Sequence, residues 1–386
     1  MPNYHQLGEI PPKRHTQFRK ADGTLYSEEV FGTEGFSGNY SILYYTYPPT
    51  RVKRIEKAQP LIPEVWDEGL QRHHHLKSAQ LGRFGDAVLG RQTLMFNNDV
   101  VLGVVKPSEA MHYFYRDGDS DLVYFVHDGH GTLETNFGLL PYHEGDYIVI
   151  PRGTTFRFDL AAGSPETTFL VIEAHGTIEP PRRYLNKNGQ LLEHAPYCER
   201  DIRRPQELVV HSEPGEYEVR LKVGSTLTSY WYDFHPLNVV GWDGYEYPWI
   251  FNIADFEPIT GRVHQPPPVH QTFQGPNFVI CSFVPRKLDY HPLSIPVPYN
   301  HSNIDSEEMI YYVNGNFGSR RGVERASITL HPRGIPHGPQ PGAVEKSLGV
   351  ERTDELAVMV DTFHPLTLTD FARRIDDESY PYSWIG

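Results

Sequence analysis

The chain of 386 residues carries 35 basic and 49 acidic side chains, a formal charge of −14. That balance argues against a nucleic-acid partner, because binding a phosphate backbone is driven by clustered Lys and Arg. Hydrophobic residues make up 39% and charged residues 22%, a globular composition with core enough for two domains. No apolar run in the sequence reaches the ~18 residues of a spanning helix, and the stretch Met1–His15 lacks an apolar signal core. A cytoplasmic protein with no membrane partner is the expectation. The 2 cysteines, Cys198 and Cys281, cannot form a disulfide framework or a Cys-rich zinc site, so any metal must rest on histidine and carboxylate.

With 24 Tyr, 20 Phe, 33 Pro and 33 Gly, the chain is rich in strand-forming aromatics and in residues that punctuate turns. In chain order the β-type runs are 39–47, 99–105, 122–126, 147–150, 168–173, 217–222, 226–234, 277–283, 309–313, 326–330 and 355–363. Short strands at this spacing point to an all-β protein of jelly-roll sandwiches or barrels rather than βαβ units. Residues 76–92 are ambiguous, 180–204 read as a long surface excursion, and 368–375, led in by Thr367, reads as a short terminal helix.

Two segments repeat a pattern. Gly145–Phe156 (GDYIVIPRGTTF) and Ile328–His337 (ITLHPRGIPH) each place Pro-Arg-Gly after an apolar strand, then two residues, then a ring. Each follows an upstream strand that ends in a glycine turn, at Gly129 and Gly315. Only the second copy carries chemistry. There His301 precedes Glu307-Glu308, and His337 follows on the next hairpin. Two imidazoles and one carboxylate on a rigid β scaffold form a facial triad for a six-coordinate Fe(II), leaving adjacent positions open for substrate and oxygen. Side chains alternate across a strand, so only one of Glu307 and Glu308 can be a ligand.

The paired motifs resemble the cupin superfamily, whose first motif puts a glutamate before six residues and a glycine and whose second reads Pro-x-Gly-x-x-His. Counting back from Gly315 places Glu308 in the ligand position, with His301 and Asn303 in the His-x-His positions. In the N-terminal copy the matching sites are Tyr115, Asp117, Leu122 and Phe156, a set expected to hold no metal. More narrowly, His301-x-Asn303, Glu308 and Pro336-His337-Gly338-Pro339 are similar to the homogentisate 1,2-dioxygenase family. Phe137-Gly138, Ile150-Pro151-Arg152-Gly153 and Val240-Gly241-Trp242-Asp243-Gly244 extend the likeness over most of the chain from about residue 99.

This resemblance implies a two-domain bicupin, with an N-terminal domain over 1–250 built on a degenerate cupin core at about 99–175, and a metal-binding cupin over 251–386. It implies Fe(II) on His301, Glu308 and His337, a small aromatic substrate and O2 as partners, and a homo-oligomer, trimer or hexamer. The carboxylate lies seven residues after His301 where the family has six, which keeps Glu307 open. His264, in Arg262-Val263-His264-Gln265-Pro266-Pro267, falls where the family has its proton-handling histidine, with His270 as rival. His331, aligned with a second active-site histidine, is expected to hydrogen-bond the substrate or a ligand; Phe317 sits where animal members have a substrate-contacting tyrosine; Asn303 completes the expected substrate-side set. Arg262, Arg286 and Lys287 are candidates for a substrate carboxylate.

The implied reaction is ring opening of a substituted hydroquinone, homogentisate to maleylacetoacetate, in tyrosine and phenylalanine catabolism. A gentisate-type dioxygenase, a bicupin storage or binding protein and a metal-dependent sugar isomerase are the alternatives. Any one histidine among 20 is more often a surface or core residue than a catalytic one; it is the motif context of His301 and His337 that lifts them above that background.

Overall fold

The computed structural model describes residues 3–58, 61–67, 69–160, 166–297, 299–315, 317, 320 and 322–385. Its architecture is antiparallel β throughout, apart from one parallel pairing of Phe114–Asp117 with Pro214–Val223. The N-terminal sandwich faces an eight-stranded sheet against a seven-stranded one. At the centre of the first lies Asp121–Asp128, paired with Asp146–Ile150 on one side and Thr168–Ala174 on the other. The second includes Gly131–Thr135, Phe156–Leu160, Phe114–Asp117 and the long hairpin Pro214–Val223/Thr226–Phe234.

The C-terminal sandwich is built on a six-stranded sheet that runs Gln271–Gly275, Phe278–Phe283, Leu356–Thr362, Glu307–Asn314, Ser327–His331 and His74–Lys77. Its opposing layer is thin, comprising the pair Arg286–Lys287/Arg352–Thr353 and a bridge between His301 and His337.

Period-two alternation explains how these layers pack. On Asp121–Asp128, Leu122, Tyr124 and Val126 fill the N-terminal sandwich with Tyr115, Phe156, Phe158 and Phe169, while Val123 and Phe125 face the opposite way. On Glu307–Asn314, Ile310 and Tyr312 point into the C-terminal sandwich with Phe317 and Met359. Met309, Tyr311 and Val313 join Val123 and Phe125 in the large core between the two sheets. Full burial of a Val, Leu, Ile or Phe side chain is worth roughly 1.5–3 kcal/mol, so this seam ties the two sandwiches into one body.

Segments also cross over: the N-terminal strand His74–Lys77 completes the C-terminal sheet, and Thr367–Leu368 pairs with Gln92–Phe96 of the N-terminal one. The strand Trp249–Asn252 spans the division expected at 250/251.

One ambiguity resolves and two expectations change. Residues 76–92 form no α-helix; they run from the strand His74–Lys77 through one 3-10 turn, Ser78–Gln80, and an irregular segment with a turn at 87–90 to the strand Gln92–Phe96. The terminal helix is Asp370–Ile375, and its cap is Thr369, whose side chain accepts from the Ala372 N–H, rather than Thr367, which lies in a strand. The excursion 180–204 is anchored rather than purely superficial, because Tyr184 and Tyr197 are buried and donate their hydroxyls to the carbonyls of Gln271 and Thr272.

At the seam between sandwiches, His127 meets the Tyr311 hydroxyl through Nδ1. Burial, aided by Arg325 and opposed by Asp128, pushes its pKa down to about 4. The folded state therefore disfavours the proton that the unfolded chain binds below about pH 6.5. The contribution is complete above that value and is lost as pH falls toward 4. In urea titrations at pH 6.5, 5.5 and 4.5, stability should drop with acidification, and His127→Gln should flatten that slope by up to about 1.4 kcal/mol per pH unit. A slope unchanged in the variant would rule this histidine out as a contributor.

Candidate metal centre

The strand Glu307–Asn314 delivers its two glutamates to opposite faces. Glu307 lies on the seam side, where its Oε2 accepts the Leu366 N–H at 2.7 Å. Glu308 points into the sandwich, flanked by His331 and Asp361, which are its direct partners on the two neighbouring strands. The strand ends at Gly315, with φ +101°, where an added Cβ would lie 2.1 Å from the Asp354 carbonyl oxygen. Only glycine fits that turn.

His301 and His337 come from separate loops and are brought together by reciprocal backbone hydrogen bonds, each N–H donating to the other's carbonyl at 2.8 Å. Their ring centroids are 4.2 Å apart. The approach needs Gly338, since a Cβ there would sit 2.7 Å from Asn300 Cα. One ligand atom from each of His301, Glu308 and His337 lies within 4.8 Å of the other two. Glu308 Oε2 is 3.6 Å from His301 Nε2, and Glu308 Oε1 is 3.3 Å from His337 Nε2. Among the described residues His337 Nε2 is buried without a hydrogen-bond partner, as expected of a nitrogen left free for a ligand. The donor set and this orphaned nitrogen fit a divalent metal of the Fe(II) type.

The support behind Glu308 is explicit. His331, fully buried, has Nδ1 2.7 Å from Glu308 Oε1 and Nε2 3.2 Å from the Tyr380 hydroxyl. Burial lowers the His331 pKa to about 3, so a neutral ring donates Nδ1–H to the carboxylate and accepts from Tyr380. Burial alone would raise Glu308, but contacts with His301, His331 and His337 outweigh it and hold the carboxyl well below its usual range. Asp361 is pushed the other way, by burial and by the charge of Glu308. Of the two roles expected for His331, the geometry realises the contact to Glu308; both its nitrogens are engaged there and at Tyr380.

The remaining expected residues are spread around this centre. His264 is half-buried, its Nδ1 3.7 Å from Asp289 Oδ2 and its ring 5.3 Å from Tyr299, which in turn lies 5.8 Å from His301. Its pKa is lowered by burial against the pull of Asp289. His270 is buried against Phe283, with Nδ1 unpartnered and a pKa driven by burial to about 3. Asn303 stands beside the histidine bridge, its carbonyl accepting from Gly334. Phe317 packs on Tyr312 and lines a cavity of about 430 Å³ together with Arg320. Arg286 is tied to the Val284 carbonyl and near Glu355, the Arg262 carbonyl accepts from His291 N, and Lys287 is exposed.

Sequence reasoning passed over four residues at the centre. His73 is buried, its ring 5.7 Å from His331, 6.2 Å from His337 and 5.0 Å from Trp384. Trp384 donates its indole N–H to the Gly338 carbonyl, Tyr380 holds His331, and Arg320 donates to the Gly338 carbonyl while its Nε stays buried and unpartnered. The run His73-His74-His75 was a visible signal; the tail aromatics had none.

A glutamate and two histidines held inside an antiparallel jelly-roll sandwich, beside a second sandwich of the same strand order, define a bicupin. Residues 95–253 match the family model described as homogentisate 1,2-dioxygenase N-terminal. A Saccharolobus solfataricus protein named "Putative dioxygenase SSO1533" is 44% identical, over 99% of this chain and 98% of its own. The homogentisate 1,2-dioxygenase of Bradyrhizobium diazoefficiens is 26% identical, over 98% and 90% respectively. Among solved structures, a cupin 2 conserved barrel domain protein from Leptotrichia buccalis superposes with a TM-score of 0.34 at 9% identity, over 76% of this chain and 98% of that one. The chain belongs to the homogentisate 1,2-dioxygenase family. Among its described residues no helix is long and apolar enough to cross a membrane.

Iron retention separates the two glutamates. After anaerobic loading and desalting, Glu308→Gln should retain almost no Fe(II) by elemental analysis, whereas Glu307→Gln should retain a full equivalent. Tyr380→Phe, which removes only the donor to His331, should weaken iron affinity roughly 10-fold or more in a chelator competition. Equal retention by both glutamate variants would contradict the assignment.

Proposed function

We propose that this protein is an Fe(II)-dependent dioxygenase that opens the ring of a substituted hydroquinone, homogentisate to maleylacetoacetate in the first instance. The observation that carries the reading is the convergence of His301, Glu308 and His337, one ligand atom of each within 4.8 Å of the others, with the Nε2 atoms of both imidazoles turned toward Glu308. Ferrous iron bound there supplies the electron path from ring to O2, with coordination positions left for both.

The protein's part is to hold and to move protons. His301 and His337 are fixed by their shared backbone bridge, and Glu308 by His331 and Tyr380. This chain of contacts sets ligand orientation before substrate arrives. His264, on the Tyr299 side of His301 and lowered in pKa by burial, accepts the phenolic proton as a neutral imidazole and then donates a hydrogen bond to the phenolate. Asn303 and Phe317 wall the substrate. Arg320, with its buried free Nε, receives the substrate carboxylate in place of Arg262, Arg286 or Lys287. Assembly as a trimer or hexamer belongs to the same reading.

Oxygen uptake by the Fe(II)-loaded chain, run with homogentisate, gentisate and unsubstituted hydroquinone and followed by mass spectrometry of products, tests the proposal. Homogentisate should consume one O2 per molecule and yield a product heavier by two oxygen atoms. His264→Ala should lower kcat by about 10²–10⁴ with iron content unchanged. No uptake with any hydroquinone would return the molecule to a binding or isomerase role, and loss of iron in His264→Ala would make that residue a ligand.

A further inference from the structure

The two sandwiches repeat one ladder. In the C-terminal one, Glu308 lies opposite His331 on one neighbouring strand and Asp361 on the other. In the N-terminal one, the equivalent Leu122 lies opposite Ile150 and Glu173. Leu122 and Phe156 stand there in place of Glu308 and His337, yet the interior is not dry. Glu173 is buried and binds Arg91 Nη1 through Oε2 at 2.8 Å and Lys222 Nζ through Oε1 at 2.5 Å, and Lys222 lies 3.5 Å from Asp117. Asp117 is also engaged by the Tyr115 hydroxyl and by the N–H groups of Asp119 and Ser120. Two carboxylates and two cations thus occupy the region where the sister sandwich gathers its metal ligands.

This charged floor opens into a cavity of about 740 Å³ lined by Arg91, Lys222, Glu173 and His175 at one end and by Leu61, Val88, Leu89, Phe96 and Phe371 along the walls. Charge pairs buried inside a structural core need no such opening. Arg91 spends Nε on the Val88 carbonyl and Nη1 on Glu173; among the described residues no hydrogen bond engages its Nη2. His175 Nδ1 donates to the Asn98 carbonyl, leaving Nε2 3.8 Å from Glu173. A guanidinium edge therefore faces the cavity, beside an imidazole already turned to Glu173; the carboxylates of Glu173 and Asp119 in its lining are engaged within the fold. Ligand pockets are largely apolar with a few convergent polar groups, and a planar guanidinium edge suits a carboxylate.

We propose that the N-terminal sandwich binds a second small molecule, an aryl carboxylate whose carboxylate meets the free edge of Arg91 and whose ring lies among Leu61, Leu89, Phe96 and Phe371. The walls include Phe371 of the C-terminal helix Asp370–Ile375, whose neighbour Asp376 engages His74, next in the chain to His73 at the metal centre. Occupancy is thereby placed one short segment away from that centre.

The test is calorimetric titration of phenylacetate, with benzyl alcohol as the uncharged control, into the iron-loaded full-length chain and into His301→Ala/His337→Ala, which removes the metal centre as a competing site. The double variant should keep one phenylacetate site per chain, with benzyl alcohol at least about tenfold weaker. In that background Leu89→Trp, which fills the cavity without touching the ion pairs, should weaken phenylacetate by about tenfold or more at unchanged melting temperature; Arg91→Gln should weaken it as well, at a lowered melting temperature because Glu173 loses one of its cations. Leu61→Trp on the opposite wall replaces Leu89→Trp if the latter does not fold. No binding to the double variant, equal binding of acid and alcohol, or indifference to a cavity-filling tryptophan would each overturn the proposal.

Discussion

Everything at the metal centre depends on keeping one carboxylate ionised in a place where water cannot reach it. Glu308 is 4% exposed, and an isolated charge so buried would take up a proton rather than bear the desolvation. Three imidazoles prevent that, one from behind and two from the front. His331 is itself made neutral by burial, so it has one N–H to give: with Nε2 accepting from the Tyr380 hydroxyl, the N–H sits on Nδ1 and is donated to Glu308. The order of dependence runs from the tail residue Tyr380 to His331 to Glu308. A protein that needs a negatively charged ligand inside a barrel has to bring neutral donors with it, and here they come as a stack of rings, with His331 and His337 4.3 Å apart and 15° from parallel.

The strand Glu307–Asn314 carries two tasks at once because its side chains alternate. Its inward residues, Glu308, Ile310 and Tyr312, build the centre and its hydrophobic wall; its outward residues, Met309, Tyr311 and Val313, seal the sandwich against its neighbour. A register slip of one residue would exchange the two sets, putting Met309 at the metal and Glu308 in the apolar seam. The chemistry and the cohesion of the two sandwiches are therefore selected together, and the glycine turn at Gly315 that ends the strand protects both.

The β class, the strands from residue 99 onward and the convergence of His301, Glu308 and His337 were legible because they are local patterns: alternation, turn glycines and motif spacing. The choice between Glu307 and Glu308 was open by spacing from His301, since the loop between them is one residue longer than in the family, and strand parity at Met309–Val313 decides where each points. His73, Tyr380 and Trp384 were not legible for a different reason. They reach the centre from opposite ends of the chain, through His74–Lys77 joining the far sheet and a tail folding over Gly338. No short-range pattern encodes such contacts. Thr369 rather than Thr367 caps the last helix because Thr367 and Leu368 are drawn into pairing with Phe96 and Met95, a tertiary demand that local cap preference cannot reveal.

The divergence of the two sandwiches follows from what a barrel interior tolerates. Where the C-terminal sandwich has Glu308, the N-terminal one has Leu122, whose strand neighbour is Glu173. A buried carboxylate without partners is costly, so it must be removed or matched with cations. Arg91 and Lys222 match it, Lys222 entering on the parallel pairing of Pro214–Val223 with Phe114–Asp117, where it stands opposite Asp117. In the C-terminal sandwich the counterpart Asp361 has no such cation among the described residues; one of its oxygens is unpartnered, and burial together with Glu308 raises its pKa. The same ladder position thus holds a carboxylate matched by two cations in one sandwich and one set beside Glu308 in the other. The N-terminal half is therefore no inert core: around Leu122 it keeps a polar interior held together by ion pairs.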